Sequence, residues 1–120
     1  MAGPLGKKVA VPDSFSPEIL FPISRDDQRK DKDLIFEKGM DIWNLHEIFW
    51  LNHDSVSNHN ELSIQIPADS KFTVESKSLK LFVNSLIHTR FESLKEVTDT
   101  IKRHVENLIE TSIKIGDIHP

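Results

Sequence analysis

The sequence predicts an α+β domain in which an antiparallel sheet carries two helices on one face. Leu62, Ile64 and Ile66 alternate strictly with polar residues, which is typical of a strand with one buried face. Two later segments, 76–90 and 93–109, repeat apolar residues at intervals of three and four, the pattern of amphipathic helices. Because two amphipathic helices follow the strands, we expect both apolar stripes to pack against the apolar face of the sheet.

The first predicted strand covers residues 42–52, which are rich in aromatic and branched side chains. By period-two spacing, one face of this strand carries Trp43, Leu45, Phe49 and Leu51, with Glu47 among them. A polar loop leads to the second strand, 60–66, which Pro67 ends. The two strands are therefore predicted to form an antiparallel hairpin.

The first predicted helix runs from Ser76 to Arg90, with the Ser76 hydroxyl as its cap. Lys77 and Lys80 lie on its polar face. Lysines in a first turn oppose the helix dipole, so we expect an anion at this helix start. The second helix begins at Ser93, which forms a predicted capping box with Glu96. The apolar stripes are Leu79, Phe82, Val83, Leu86 and Ile87 in the first helix and Val97, Ile101, Val105, Leu108 and Ile109 in the second.

The chain divides into two parts by composition. Residues 1–38 are predicted to be an extended N-terminal arm and a charged connector, because prolines cluster before residue 24 and charges alternate in Arg25–Asp33. The arm is expected to be pinned by its apolar residues Phe15, Ile19, Leu20 and Phe21. Residues 39–120 are predicted to form the folded module. Its last element is a third strand that begins at 112–115 and is interrupted by Gly116.

Composition narrows the class of protein. A chain of 120 residues forms one domain or part of one. The net charge of −4 argues against a dominant nucleic-acid-binding surface. Cysteine is absent, which excludes disulfides, thiolate metal sites and thiol nucleophiles from this chain. Neither a secretory signal nor an apolar run long enough for a membrane span occurs, so a soluble cytoplasmic protein is expected.

Three ordered segments resemble a known family. They are Glu75–Leu86 (ESKSLKLFVNSL), Gly39–Asn52 (GMDIWNLHEIFWLN) and, more weakly, Leu20–Arg25 (LFPISR). These segments resemble the NADPH-dependent 7-cyano-7-deazaguanine reductases, nitrile reductases of queuosine biosynthesis, and in particular the N-terminal module of their long two-module form. The resemblance implies the tunnelling fold, which GTP cyclohydrolase I shares, left incomplete at the C-terminus here, and a homo-oligomer.

The resemblance also implies roles for the segment that opens the first helix. Glu75 and Ser76 would bind 7-cyano-7-deazaguanine, because a carboxylate accepts two parallel hydrogen bonds from the N–H/NH₂ edge of that base. Lys77, Ser78 and Lys80 would bind the cofactor NADPH, with the lysines on its phosphates. Each residue type also has a purely structural role at such a position: a glutamate favoured by the helix dipole, a capping serine and ordinary exposed lysines.

The catalytic groups that the resemblance implies are missing from this sequence. The family attacks the nitrile carbon with a cysteine thiolate, and two hydrides then reduce the resulting thioimide. This chain has no cysteine, so no catalytic residue is predicted in it and the chain alone is expected to be inactive. A C-terminal catalytic module, in the same or a separate chain, would supply the nucleophile. The alternatives are a non-catalytic tunnelling-fold binding or scaffolding subunit and, third, a plain structural domain.

No metal site is predicted. The six histidines include no H-x-x-x-H pair and no convergent carboxylates, so surface histidines are the better interpretation. Neither direct nucleic-acid binding nor membrane association is expected.

Overall fold

The computed structural model describes residues 12–25 and 40–118. These residues form an α+β structure with two antiparallel sheets and two helices. In chain order the elements are a 3₁₀ turn Pro17–Ile19, strand β1 Pro22–Ser24, β2 Met40–Leu51, β3 Ser57–Pro67, β4 Phe72–Val74, helix α1 Ser76–Ser85, a 3₁₀ turn Leu86–His88, helix α2 Leu94–Ile109 and strand β5 Lys114–Asp117.

The main sheet contains the predicted hairpin. Its strand order is β2-β3-β5, and both pairings are antiparallel. The third strand is confirmed, but Gly116 does not interrupt it, because this residue pairs with Ser63 inside the ladder. The second strand begins at Ser57, earlier than predicted, since Asn58 and Asn60 continue the ladder despite their polar side chains.

A β-bulge in β2 changes which side chains face the core. Leu45 pairs with Leu62, but the next paired residue, Ile48, faces Asn60, so the register shifts by one residue between them. An extra residue on one strand reverses the alternation that follows it. The predicted face is therefore wrong beyond Leu45: Ile48 is fully buried, whereas Phe49 is 46% exposed.

Both helices are confirmed, with altered ends. Helix α1 stops at Ser85 and continues only as a 3₁₀ turn to His88, so the predicted extension to Arg90 is wrong. Ser93 caps α2 by accepting a hydrogen bond from the N–H of Glu96. The reciprocal half of the predicted capping box does not form, because the Glu96 carboxylate accepts from the N–H of Glu92, one residue before the cap.

The N-terminal segment 12–25, called the arm below, is part of the folded structure. Its strand β1 pairs with β4, a two-stranded sheet that the sequence did not predict. Leu20 is buried as expected. Arg25 is not a solvated connector residue: it is 3% exposed, and its guanidinium contacts the carboxylate of Asp41 at 2.7 Å and the hydroxyl of Ser70 at 3.0 Å. Of the predicted arm and connector, 1–38, residues 1–11 and 26–38 lie outside the described residues.

One hydrophobic core joins the main sheet, β4, both helices and the arm residues before β1. Both helical stripes pack on the hairpin as the sequence predicted, except that Ile87 of the predicted first stripe is not part of the core. The fully buried members come from β2 and β3 (Ile48, Leu62, Ile64, Ile66), from α1 and the turn after it (Phe82, Leu86), and from α2 (Val97, Ile101, Val105, Ile109). This core fixes α1 beside β2, and that placement creates the groove described next.

Candidate functional site

The start of α1 is capped by the side chain of Glu75. Its two carboxylate oxygens accept hydrogen bonds from the backbone N–H groups of Lys77 at 3.0 Å and Ser78 at 2.8 Å. The predicted cap, Ser76, is instead the first residue inside the helix and is exposed. The negative charge expected at this helix start is therefore supplied by the chain itself, which offsets the unfavourable position of the lysines.

A groove lies between β2 and the exposed side of α1. Its volume is about 380 Å³. Strand β2 contributes Trp43, Asn44, Leu45, His46 and Glu47, and helix α1 contributes Ser76, Leu79, Lys80, Val83 and Asn84. The β-bulge lies on the groove wall, because His46 and Glu47 are the residues at which the register shifts. Bulges often occur next to functional sites, where they redirect side chains.

The predicted site residues divide into two groups in the structure. Ser76 and Lys80 line the groove, and Lys77 is exposed beside it. Glu75 and Ser78 are 2% and 1% exposed, and both make hydrogen bonds within the chain. The five residues are thus neighbours at one helix start, but only Ser76, Lys77 and Lys80 present their side chains to solvent.

The groove also contains residues that the motif did not single out as ligands. Glu47 and His46 stand opposite α1, and His46 Nδ1 contacts Glu61 Oε2 at 2.9 Å. The indole Nε1 of Trp43 is buried without a hydrogen-bond partner. Strict alternation placed Trp43 and Glu47 on one face, and both line the groove. No local signal in the sequence marks the bulge at His46 and Glu47.

Two absences hold for the part of the chain that the structure describes. Across residues 12–25 and 40–118, no three histidine or acidic side chains are arranged to hold a metal ion. Neither helix within those ranges is long and apolar enough to cross a membrane.

Known proteins resemble this chain over nearly its whole length. A family model described as nitrile reductase, 7-cyano-7-deazaguanine-reductase N-terminal, matches residues 11–116. Three relatives are named NADPH-dependent 7-cyano-7-deazaguanine reductase. The protein from Acinetobacter baylyi is 36% identical, and the match covers 92% of this chain and 42% of the relative. The protein from Paraburkholderia phytofirmans is 41% identical, with 85% of this chain and 38% of the relative covered, and the protein from Coxiella burnetii is 34% identical, with 95% of this chain and 43% of the relative covered.

The match is confined to one part of those relatives. The chain spans about two fifths of the length of the curated proteins it matches. The family model covers the predicted motif segment Glu75–Leu86, the whole arm and all five strands except the last residue of β5. On this match, the chain belongs to the 7-cyano-7-deazaguanine reductase N-terminal family of nitrile reductases.

Proposed function

We propose that this chain is the N-terminal module of an NADPH-dependent nitrile reductase that converts 7-cyano-7-deazaguanine into 7-aminomethyl-7-deazaguanine in queuosine biosynthesis. The observation that carries the proposal is the family match, which includes the motif at the start of α1. The antiparallel sheet with two helices on one face is compatible with the tunnelling fold. The module would act in the cytoplasm, as part of a homo-oligomer.

The groove supports a role in binding the substrate. Trp43 offers an aromatic surface beside the polar groups of Ser76 and Asn84, and apolar walls with a few polar groups are typical of small-molecule sites. Glu75 uses two of the roughly four hydrogen bonds that a carboxylate can accept. We assign substrate binding to Ser76, which lines the groove, and to its neighbour Glu75, which is buried outside the lining but can accept further hydrogen bonds.

The cations at the helix start fit the cofactor. The ammonium groups of Lys77 and Lys80 are on exposed side chains, and neither forms an ion pair among the described residues. Lysine is suited to phosphate as a compact point charge. We assign NADPH phosphate binding to these two residues. Ser78, the third residue that the resemblance gives to NADPH, is buried beneath them, and its hydroxyl is hydrogen-bonded within the chain. When bound, NADPH would supply the hydride for reduction.

The nucleophile must come from another module, because the chain has no cysteine. This absence also favours the second candidate, a non-catalytic binding or scaffolding subunit. The two candidates differ in one measurable outcome. A reductase module should restore turnover to a separate C-terminal catalytic module, whereas a scaffold should not.

The test combines this chain with the C-terminal part of the Acinetobacter baylyi relative and follows NADPH consumption in the presence of 7-cyano-7-deazaguanine. We expect no turnover from this chain alone and turnover from the combination. Turnover by the chain alone would contradict the assigned role. No turnover from the combination, although the two parts associate, would favour the scaffold.

Charge substitutions in the same mixture test the cofactor assignment. Replacing Lys77 and Lys80 together by Ala should weaken NADPH binding roughly tenfold and flatten its salt dependence, because two phosphate contacts are lost. The affinity for the base should stay nearly unchanged. Lys102→Ala, an exposed lysine on α2, is the matched control. Equal NADPH affinity in all these proteins would remove the lysines from the site.

A further inference from the structure

The hydroxyl of Ser78 is the centre of a closed ring of hydrogen bonds between the arm and the start of α1. The N–H of Phe21 donates to Ser78 Oγ at 3.0 Å, and Ser78 Oγ donates to the carbonyl oxygen of Glu75 at 2.8 Å. The N–H of Glu75 donates back to the carbonyl of Phe21 at 2.8 Å. The ring therefore contains one arm residue and both ends of the capping turn.

The same ring holds the Glu75 side chain. The N–H of Ser78 donates to Glu75 Oε1 at 2.8 Å, so one residue fixes both the backbone and the carboxylate of the cap. Both residues are almost completely buried. Strand pairing continues the attachment on the arm side, because Pro22 pairs with Val74, the residue immediately before Glu75. Buried hydrogen-bonded networks of this kind hold one arrangement, since a partly broken network leaves polar groups unpaired.

We propose that Ser78 is a positioning residue, through which the arm sets the orientation of Glu75 and of the first turn of α1 at the groove. The inference rests on the proposed function and deepens it: Ser78 acts on the base through Glu75, and the arm is a working part of the substrate site. Without the Ser78 hydroxyl, the N–H of Phe21 loses its acceptor, and the turn that carries Glu75 and Ser76 is held by fewer bonds.

The chain contains a matched control at Ser85. This residue lies on the same side of α1, and its hydroxyl donates to the carbonyl of Phe82 at 2.6 Å and accepts from the N–H of Ser16 at 3.1 Å. It is also 1% exposed. Ser85 thus attaches the arm by the same kind of bond as Ser78, but at the far end of the helix and without contact to Glu75.

The first experiment measures amide hydrogen exchange in the full chain by NMR. In Ser78→Ala, the amides of Lys77 and residue 78 should exchange about five to ten times faster than in the wild type, the effect of losing one buried hydrogen bond. In Ser85→Ala, the same two amides should keep their wild-type rates. Unchanged rates in Ser78→Ala, or equal acceleration in both variants, would overturn the proposal.

The second experiment titrates 7-cyano-7-deazaguanine into the mixture with the C-terminal part of the relative. If the two variants have the same melting temperature, Ser78→Ala should lower the affinity for the base about five- to tenfold, and Ser85→Ala less than twofold. Equal losses would reduce Ser78 to a structural residue and overturn the proposal. If Ser78→Ala does not fold, Ser78→Cys is used, because a thiol of similar size is a weak donor. If the wild type binds no base, the proposed function falls, while hydrogen exchange still decides whether Ser78 orders the turn.

Discussion

Glu75 is the residue at which structure and recognition are hardest to separate. The sequence offered two interpretations of it, a contact to the substrate and an exposed first-turn residue favoured by the helix dipole. The structure shows a third arrangement, a buried carboxylate that caps the helix. The cap was not predicted, because serine is among the residue types preferred at that position and glutamate is not, so the sequence favoured Ser76.

The cap has a measurable cost of removal. Glu75→Ala should lower the free energy of unfolding by about 1–2 kcal/mol, because two N–H groups at the helix start lose their acceptor. Ser76→Ala, next to it but exposed, should change the same quantity by less than about 0.5 kcal/mol. Urea denaturation measures both. Equal effects would contradict the assignment of Glu75 as the cap.

Glu75→Gln then separates capping from recognition. If Glu75 binds the base, this change places a donor against the substrate's donors and should lower the affinity for the base roughly tenfold. NADPH affinity should remain close to the wild-type value. If Glu75 only caps the helix, the loosened turn should weaken both ligands together. Calorimetric titration of each ligand, in the mixture with the C-terminal part of the relative, distinguishes the two results.

Among the elements, β2 shows where sequence patterns fail. Its existence and its pairing with β3 follow from composition and alternation, and both were predicted. The bulge between Leu45 and Ile48 was not, because its position is set by which aromatic and branched residues fit the core, a tertiary effect without a local signal. The helices were easier to predict, since their stripes extend over several turns and locate them without reference to neighbours.

The bulge predicts a reversal in mutational sensitivity. Ile48→Ala should lower the free energy of unfolding by about 2–4 kcal/mol, because a fully buried side chain is replaced by a cavity. Phe49→Ala, at a side chain that is nearly half exposed, should cost less than about 1 kcal/mol. If the strand alternated without a bulge, Phe49→Ala would destabilise the protein more than Ile48→Ala. Denaturant unfolding of the two variants decides between them.

The contact between the arm and the helices predicts a pH dependence. The ring of His104 in α2 lies 5.9 Å from Phe15 and 5.8 Å from Phe82, measured between centroids. Burial, and secondarily the charge of Arg103, lower the pKa of His104 below its ordinary value of 6.5. The unfolded chain therefore takes up a proton at a pH where the folded chain does not, so stability falls as the pH drops below 6.5.

His104→Phe should remove this part of the pH dependence, because phenylalanine keeps an aromatic ring at the contact and does not titrate. The melting temperatures of the wild type and the variant are measured on both sides of pH 6.5. Above that pH, both melting temperatures should change with pH at the same slope. Below that pH, the wild type should lose more stability than the variant. Parallel curves throughout would show that His104 does not contribute.

At the scale of the whole molecule, the α+β architecture was predictable because the order of strands and helices determines which faces must be buried together. The second sheet, β1 with β4, was not, because strands of three residues carry too little pattern to detect. This sheet joins the arm to the segment before α1. It makes the N-terminal residues part of the site's support, although the sequence suggested only an extended arm.

The main sheet predicts association. Among the described residues, β2 and β5 each have one side that pairs with no strand, and β2 is long and carries exposed Met40 and Ile42. Open edges with apolar side chains tend to pair with other chains. We expect concentration-dependent self-association of the isolated chain in sedimentation velocity experiments, in agreement with the proposed homo-oligomer.

A pair of substitutions tests whether the β2 edge causes that association. Ile42→Lys places a charge on the edge strand at a side chain that is 60% exposed, and should shift the chain toward monomer, because charges on edges oppose strand pairing. Val56→Lys introduces the same charge at a similarly exposed apolar residue, 55%, in the hairpin loop, and should leave association unchanged. Since both sites are exposed, neither change should move the melting temperature by more than a few degrees. A wild-type chain that stays monomeric at all concentrations, or equal effects of the two substitutions, would show that β2 is not the associating edge.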